Sequence, residues 1–431
     1  MNRKILALAI PNIVSNITIP LLGMVDLAIV GRLGNDALIG GIAVGGTIFN
    51  FLYWNFSFLR MGTSGFTAQA YGARNFDEAA RVLVRALSVA VAVALVIWAL
   101  QLLVVRLAMG VMEGSEAVEQ AASRYFLVRV WAAPATLSLY AFTGWFIGMQ
   151  NSRTPMWISI GINVVNIGCS LAAVRLFGMG IEGVALGTVI AQWSGVALAL
   201  LIIRRYYGRF FRRDTFRRSG VLSWPVMRRF FKVNSDIFLR TLCLVAVFTY
   251  FTIASTRMGD TLLAVNTLML ELFTLFSYMM DGFAYAGEAL AGRYCGAGNT
   301  PMLHRAVRGL LRWGVVVMLF FTLLYAVAGE QILRIFTSSE AILDAARDYA
   351  VWAVLVPVCS FLAFILDGIV VGITATWIMR NAMFCATIVF FAVYAVLMPL
   401  LGNAGLWIAF LAYLLMRGVV QLALSKRRIL G

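Results

Sequence analysis

Apolar runs long enough to cross a bilayer recur from one end of the chain to the other, broken only by short polar stretches. A helix needs about 20 predominantly apolar residues to span a hydrocarbon core about 30 Å thick. Twelve stretches reach that length: 5–30, 38–70, 80–108, 120–150, 155–176, 183–207, 228–257, 260–295, 303–336, 341–373, 378–401 and 403–425. The runs are solid; Val89–Val105 contains Gln101 as its one hydrophilic residue. Strands of an outer-membrane barrel would instead alternate apolar and polar positions over about ten residues. The pattern predicts an all-α integral membrane protein with twelve transmembrane helices. Several runs exceed a perpendicular crossing, so tilt or extension beyond the bilayer is expected. The opening MNRK and its apolar run resemble a secretion signal, but no small-residue cleavage site follows, so the segment is expected to stay as the first helix.

Composition agrees, and charge adds the orientation. Of 431 residues, 62% are hydrophobic and 13% charged, which excludes a soluble globular protein. The formal net charge of +16 would suggest a nucleic-acid partner in a soluble chain. Here 25 of the 35 Lys and Arg fall in alternate connections, ten of them between Arg204 and Lys232. Positive residues are retained on the cytoplasmic side, so both termini are expected in the cytoplasm, in a bacterial-type inner (plasma) membrane. The charge is then a topology signal read by anionic lipid, and no nucleic-acid partner is expected. Cys169, Cys243, Cys295, Cys359 and Cys385 are isolated, and His304 is the single histidine. No metal site, cofactor or catalytic constellation is therefore expected, and the chain is not read as an enzyme.

The two halves of the chain resemble each other. AQAYGARN, ending at Asn75, aligns with GRYCGAGN, ending at Asn299, at an offset of 224. The same offset pairs Gly148 with Gly372 and Gly178 with Gly402, and Arg32–Gly34 pairs with Arg257–Gly259 at 225. Each copy holds six helices, an even number, so the copies share orientation and are related by a pseudo-twofold axis along the membrane normal. The expected organisation is an N-lobe over 1–207, a basic cytoplasmic linker over 208–227 and a C-lobe over 228–431. Two such lobes suit alternating access around a central site. No GxxxxGK[ST] phosphate-binding loop occurs, so an ion gradient would have to drive uphill transport.

An ionisable residue at the centre of a membrane helix costs at least about 2.5–3.5 kcal/mol, which makes it a functional candidate. In the first span Asn12, Asn16, Pro20, Gly23 and Asp26 lie on one helical face, with Asp26 its sole acid. The fifth span repeats the device without charge through Ser159, Asn163, Asn166 and Ser170. In the eighth, Thr267, Glu271, Thr274, Tyr278, Asp281, Tyr285 and Glu288 form the longest polar stripe, and Ser360, Asp367 and Thr374 share a face in the tenth. The repeat mate of the long stripe carries Asn50, Tyr53, Ser57, Arg60, Ser64, Thr67 and Tyr71. Desolvation disfavours a charged carboxyl, which lets such a group exchange a proton near neutral pH. An organic cation would compete for the same group, held by aromatic faces. Other readings stay open: polar residues that only tie helices together, Asp236 and Arg240 as a neutralising i, i+4 pair, Arg60 as a balancing charge, and Arg124 and Arg129 reaching toward headgroups. The GxxxG spacings at Gly41/Gly45, Gly144/Gly148, Gly183/Gly187 and Gly368/Gly372 predict close helix approach.

Taken together, MVDLAIVGRLG, GGIAVGG, FLRMGTSGFTAQAYGARN and DGFAYAGEA resemble the multidrug and toxic compound extrusion (MATE) family, closest to its DinF-like branch, from about residue 6 to about residue 417. The resemblance implies a V-shaped pair of six-helix lobes in one chain, a monomer. It also implies export of cationic or amphipathic drugs and toxins against H+ or Na+. Carried over by position, it makes Asp26 the coupling carboxylate, accompanied by Asn163 and Asn166. Relatives usually carry an aspartate where this chain has Ser170, so coupling rests on Asp26 alone or shifts to the other lobe. The polar stripes, read beside the resemblance, give a substrate-binding set of Asp26, Tyr53, Arg60, Tyr278, Asp281, Tyr285, Glu288 and Asp367, in which Asp281 and Glu288 come from the stripe and not from the family's pattern. Asp367 fits the C-lobe acid of the NorM-like branch, whose seventh-helix glutamate is matched here by no residue beyond Asp236. A flippase for lipid-linked sugars would want a cationic cavity, and a membrane-embedded transferase would want clustered acids. The stripes here are mainly acidic and the acids lie singly on separate spans.

Overall fold

The computed structural model describes residues 1–31, 36–112, 115–211, 220–337 and 339–429. Among them are fifteen α-helices and no strand: α1 (Asn2–Gly31), α2 (Asp36–Trp54), α3 (Phe58–Gly72), α4 (Phe76–Met112), α5 (Glu116–Arg129), α6 (Ala133–Gly148), α7 (Arg153–Arg175), α8 (Ile181–Ile202), α9 (Trp224–Thr256), α10 (Asp260–Gly296), α11 (Thr300–Phe336), α12 (Glu340–Arg347), α13 (Ala350–Gly372), α14 (Thr376–Leu401) and α15 (Asn403–Ile429). Twelve segments are long and apolar enough to cross a membrane, and they follow the expected order. Arg32–Gly34, residues 212–219 of the basic segment and Glu113 lie outside the described residues.

Four spans differ from a plain helix, the sixth by ending in a π-helical stretch at Ile203–Tyr207. The second is α2 and α3 joined by a turn at Asn55–Ser57, and the fourth is α5 and α6 joined by a 3-10 turn at Val130–Ala132. The tenth is shorter than expected, beginning at Ala350, because Glu340–Arg347 forms a separate helix in which Leu343 and Ala346 are the buried residues. With Glu340, Asp344 and Arg347 in eight residues, that segment has too narrow an apolar stripe to cross a bilayer.

The helices form two compact units. One comprises Val14–Phe231; the other comprises Met1–Ile13 with Lys232–Gly431. The core of the first is continuous through Phe49, Tyr125, Phe126 and Val184, with a second cluster around Trp145 and Phe146. In the second unit Phe410 meets Phe248, Phe251, Phe273, Trp407 and Tyr413 at ring-centroid distances of 5.2–6.2 Å. Beside it a buried amide cluster closes on itself: Asn266 donates to Ser255 Oγ (2.8 Å) and Asn403 Oδ1 (2.7 Å) and accepts from Trp407 Nε1 (2.8 Å).

The internal repeat extends to the backbone. Left-handed residues end corresponding helices at Arg74 (φ 56°) and Gly298 (φ 63°), at Gln150 (φ 64°) and Thr374 (φ 53°), and at Gly178 (φ 63°) and Gly402 (φ 55°). Each pair is 224 apart. The asparagines of the matching GAxN segments then cap the next helix alike: Asn75 Oδ1 accepts from Glu78 N and Asn299 Oδ1 from Met302 N, both at 3.0 Å.

The glycine spacings do bring helices together, and in register with the repeat. A Cβ on Gly144 or Gly148 would meet α3 at the Arg60 carbonyl and at Thr67. A Cβ on Gly368 or Gly372 would meet α10 at the Ala284 and Glu288 carbonyls. Gly41 and Gly45 sit likewise against Ala121 and Tyr125, and Gly187 against Ser170. Backbone cannot swing aside as a side chain can. Gly368→Val is therefore expected to cost about 1–3 kcal/mol by overpacking and to lower the Tm of the detergent-purified protein. Gly23→Ala, which meets nothing within 4 Å, should leave the Tm where it is.

Candidate functional site

In the unit formed by Val14–Phe231, Asp26 occupies the last third of α1 and is 5% exposed. Its Oδ1 has no hydrogen-bond partner. A buried carboxyl oxygen left unsatisfied is costly, so the position is poised to take a proton or a cation. Val25, Ile29 and Val30 hold this stretch of α1 against the core that contains Phe49 and Tyr125. From α5, the guanidinium of Arg129 donates to the Tyr125 hydroxyl at 2.7 Å and lies 4.8 Å over the Phe49 ring and 5.4 Å over that of Tyr125. Arg129 is within electrostatic reach of Asp26. Tyr53 is buried and stacked on Phe49 at 5.4 Å, so the arginine lies against an aromatic wall. Arg129 does not reach toward headgroups: it ends α5 at a kink in the middle of the fourth span and turns inward. Arg124 does face outward, with Glu182 as its partner at 3.3 Å.

The polar face of α7 meets two neighbours. Ser159 Oγ is 3.2 Å from Thr18 Oγ1, and Asn163 donates to the Thr18 carbonyl at 3.1 Å. Asn166 donates to Thr188 Oγ1 of α8 at 2.9 Å. Its own Oδ1 and the hydroxyl of Ser170 are buried without partners. Asn163 and Asn166 thus spend these bonds on helix contacts, while Asn166 Oδ1 and Ser170 Oγ remain as two oxygens one turn apart, next to Thr188. Arg60 is half-buried in α3, within electrostatic reach of Tyr140.

In the other unit the α10 stripe grades from open to closed. Thr267 and Glu271 are exposed, Tyr278, Asp281 and Tyr285 half-buried, and Glu288 is buried. Asp367 lies in a network: Oδ2 accepts from Arg240 (2.7 Å) and Arg417 (3.0 Å), and Oδ1 from Gln421 (2.6 Å). Asp281 also acts on Arg240 electrostatically. Asp236 and Arg240 are not partners of each other in these bonds. Asp236 instead takes Arg380 (2.7 Å) and Thr376 (3.0 Å), because the facing helices bring better-placed donors than the local i, i+4 neighbour. Arg417, one of the basic residues that the charge count places in the cytoplasmic connections, with Lys426, Arg427 and Arg428, is 1% exposed.

Sequence reasoning missed four contributors. Tyr125 and Arg129 form an i, i+4 pair in an apolar run, and Thr188 follows Gly187 at a glycine contact. Arg417 had the plainest signal, since Tyr413, Arg417, Gln421 and Ser425 step by four along α15, and all four are buried.

Comparison with known proteins accords with this architecture. The MatE family model matches twice, over residues 11–171 and 237–397, so the repeat is also the family unit. The chain is 38% identical over 421 residues to DNA damage-inducible protein F of Escherichia coli strain K12, covering 97% of this chain and 91% of that protein. It is 25% identical over 422 residues to a probable multidrug resistance protein NorM of Bradyrhizobium diazoefficiens, covering 94% and 89%. Among solved structures, a MATE protein in its bent conformation superposes with a TM-score of 0.88 at 18% identity, covering 99% of this chain and 95% of that one. The Vibrio cholerae MATE transporter VcmN in the bent form gives 0.87 at 16% identity, covering 100% and 97%.

Proposed function

Since the chain belongs to the MatE family of membrane transporters, we propose that it is a secondary antiporter. It exports cationic or amphipathic drug-like compounds in exchange for H+ or Na+, by alternating access. The observation that carries this reading is Asp26: a single acid on its helix, buried, with one carboxyl oxygen unpartnered. Proton, sodium ion and organic cation all satisfy that oxygen, and a carboxylate that holds one of them at a time exchanges them.

Asn163, Asn166 and Ser170 make up the ion-coupling neighbourhood, and the free oxygens of Asn166 and Ser170 beside Thr188 supply neutral ligands for a hard cation. Tyr53 offers an aromatic face to an organic cation near Asp26. In the other unit, Tyr278, Asp281 and Tyr285 line the accessible part of the α10 stripe, with Glu288 at its closed end; in the first unit Arg60 is the cation on the matching stripe of α3. Asp367 already carries two arginines and a glutamine, which leaves it little capacity for an exogenous cation and favours Asp26 as the coupling group. The basic connections support cytoplasmic termini in a bacterial inner membrane, and the two repeats in one chain support a monomer.

The test is efflux of a fluorescent organic cation from proteoliposomes under an imposed pH gradient or an imposed Na+ gradient. Either gradient alone should accelerate efflux several-fold over no gradient. A protein indifferent to both is not an antiporter of this kind.

A further inference from the structure

In the unit that contains Lys232–Gly431, two buried guanidinium groups meet on a single oxygen. Arg240 of α9 donates Nη2 to Asp367 Oδ2 at 2.7 Å, and Arg417 of α15 donates Nη2 to the same atom at 3.0 Å. The second carboxylate oxygen, Oδ1, is taken by Gln421 Nε2 at 2.6 Å. Among the described residues no other acid bonds to either guanidinium: Asp236 takes Arg380, and Asp281 of α10 acts on Arg240 only through space. In direct contact there are thus two positive charges and one negative. The donors are also incompletely met. The Nε of Arg240 and the Nε of Arg417 are both buried without a hydrogen-bond partner. The side chain of Arg417 is 1% exposed, and its remaining neighbours are the ring faces of Phe364 and Tyr413. A buried cation that shares its counter-charge and keeps an unmet N–H is costly in such surroundings.

We propose that this cluster is an anion site, completed by a small monovalent anion of the chemistry of chloride that accepts from the free Nε–H groups of Arg417 and Arg240. Charge selects a monovalent ion, since one negative charge balances the groups in contact and two would exceed them. Size selects a compact one, because Arg417 is closed to solvent and walled by Phe364 and Tyr413. The open polar groups on both arginines are N–H donors, which suit an anion and repel a metal ion. Arg240, at 14% exposure, is the more open member and marks the side of entry. Because the cluster joins α9, α13 and α15, the bound anion would set how firmly these three helices hold together. The site lies in a different unit from Asp26 and does not depend on the role of that residue.

Thermal unfolding of the purified full-length protein tests this, with chloride exchanged for the bulkier gluconate at constant ionic strength so that screening is unchanged. Above its Kd, each tenfold increase in chloride should raise the Tm by about 1–3 °C, because an ion that binds the folded state alone stabilises it in proportion to the logarithm of its concentration. Arg417→Met leaves Asp367 facing Arg240 alone, a neutral pair. This variant should lose the chloride response and melt in gluconate no lower than the wild type does. Arg312→Met, which removes an exposed arginine of α11, should keep the response and so exclude a general effect of surface charge. Crystals grown in bromide supply a direct readout: an anomalous peak is expected within hydrogen-bond reach of the Arg417 Nε. Equal melting in chloride and gluconate overturns the site, as does an undiminished chloride response in Arg417→Met. If Arg417→Met does not fold, the wild-type crystals decide, and the absence of a bromide peak at Arg417 overturns it. Asp26→Asn should keep the chloride response whatever it does to counterflow, so failure of the antiport reading is seen separately.

Discussion

Asp26→Asn is expected to leave the protein folded and inserted while reducing substrate-driven counterflow in proteoliposomes to the level of empty vesicles. Asparagine keeps the size and one acceptor of the carboxyl but can neither release a proton nor balance a cation. The structural consequence is modest. The residue makes no hydrogen bond through Oδ1, and α1 is held in place by Val25, Ile29 and Val30. Arg129 keeps Tyr125 and the Phe49 face whichever residue stands at position 26. The functional consequence is complete because exchange needs one group that two cations cannot occupy together, and a neutral amide imposes no such exclusion. The measurement is internal pH or Na+ during addition of a lipophilic cation, alongside circular dichroism and chromatographic behaviour. Undiminished counterflow in a folded Asp26→Asn protein would move coupling away from this helix.

How much of this was legible in the sequence divides along a physical line. Features set by local period were readable: twelve spans, the 224-residue repeat, and the acid isolated on the face of α1 with Asn12 and Asn16. The glycine contacts were readable too, because a four-residue spacing presents both glycines to one neighbour. Features set by which helices meet were not. Asp236 and Arg240 are one turn apart and were expected to neutralise each other, yet Arg240 finds Asp367 127 residues away and Asp236 finds Arg380 144 residues away. Arg129 looked like a headgroup anchor because it stands near one end of the apolar run at 120–150. What turns it inward is the ring of Phe49, contributed by another helix. Arg417 looked cytoplasmic because Lys426, Arg427 and Arg428 follow it. The four-residue step through Tyr413 and Gln421 marks a buried face, but the charge count outweighed it. Tertiary pairing decides where an arginine in an apolar run goes, and a single sequence does not state the pairing.

Asp367→Asn is expected to act mainly on stability, by about 3–5 kcal/mol, because it removes the one carboxylate shared by two buried guanidinium groups. The side chains of Asp367, Arg240 and Arg417 are 6%, 14% and 1% exposed, so water cannot replace the lost charge. Arg417 is the group in most difficulty. Its contacts beyond Asp367 are the faces of Phe364 at 5.8 Å and Tyr413 at 5.7 Å, which compensate a cation only in part. Gln421 would also have its Nε2 donor turned toward an amide in place of a carboxylate. The network ties α13, which carries Asp367, to α9 and α15, so its loss should loosen three helices at once and lower the Tm of the purified protein. Replacing all three charged members together, as Asp367→Leu, Arg240→Met and Arg417→Met, should recover much of the loss, since a buried ionic cluster often contributes little beyond an apolar core of the same volume. This outcome separates two roles for Asp367. A carboxylate kept for substrate would show the opposite pattern, with the Tm preserved and dye binding lost in Asp367→Asn.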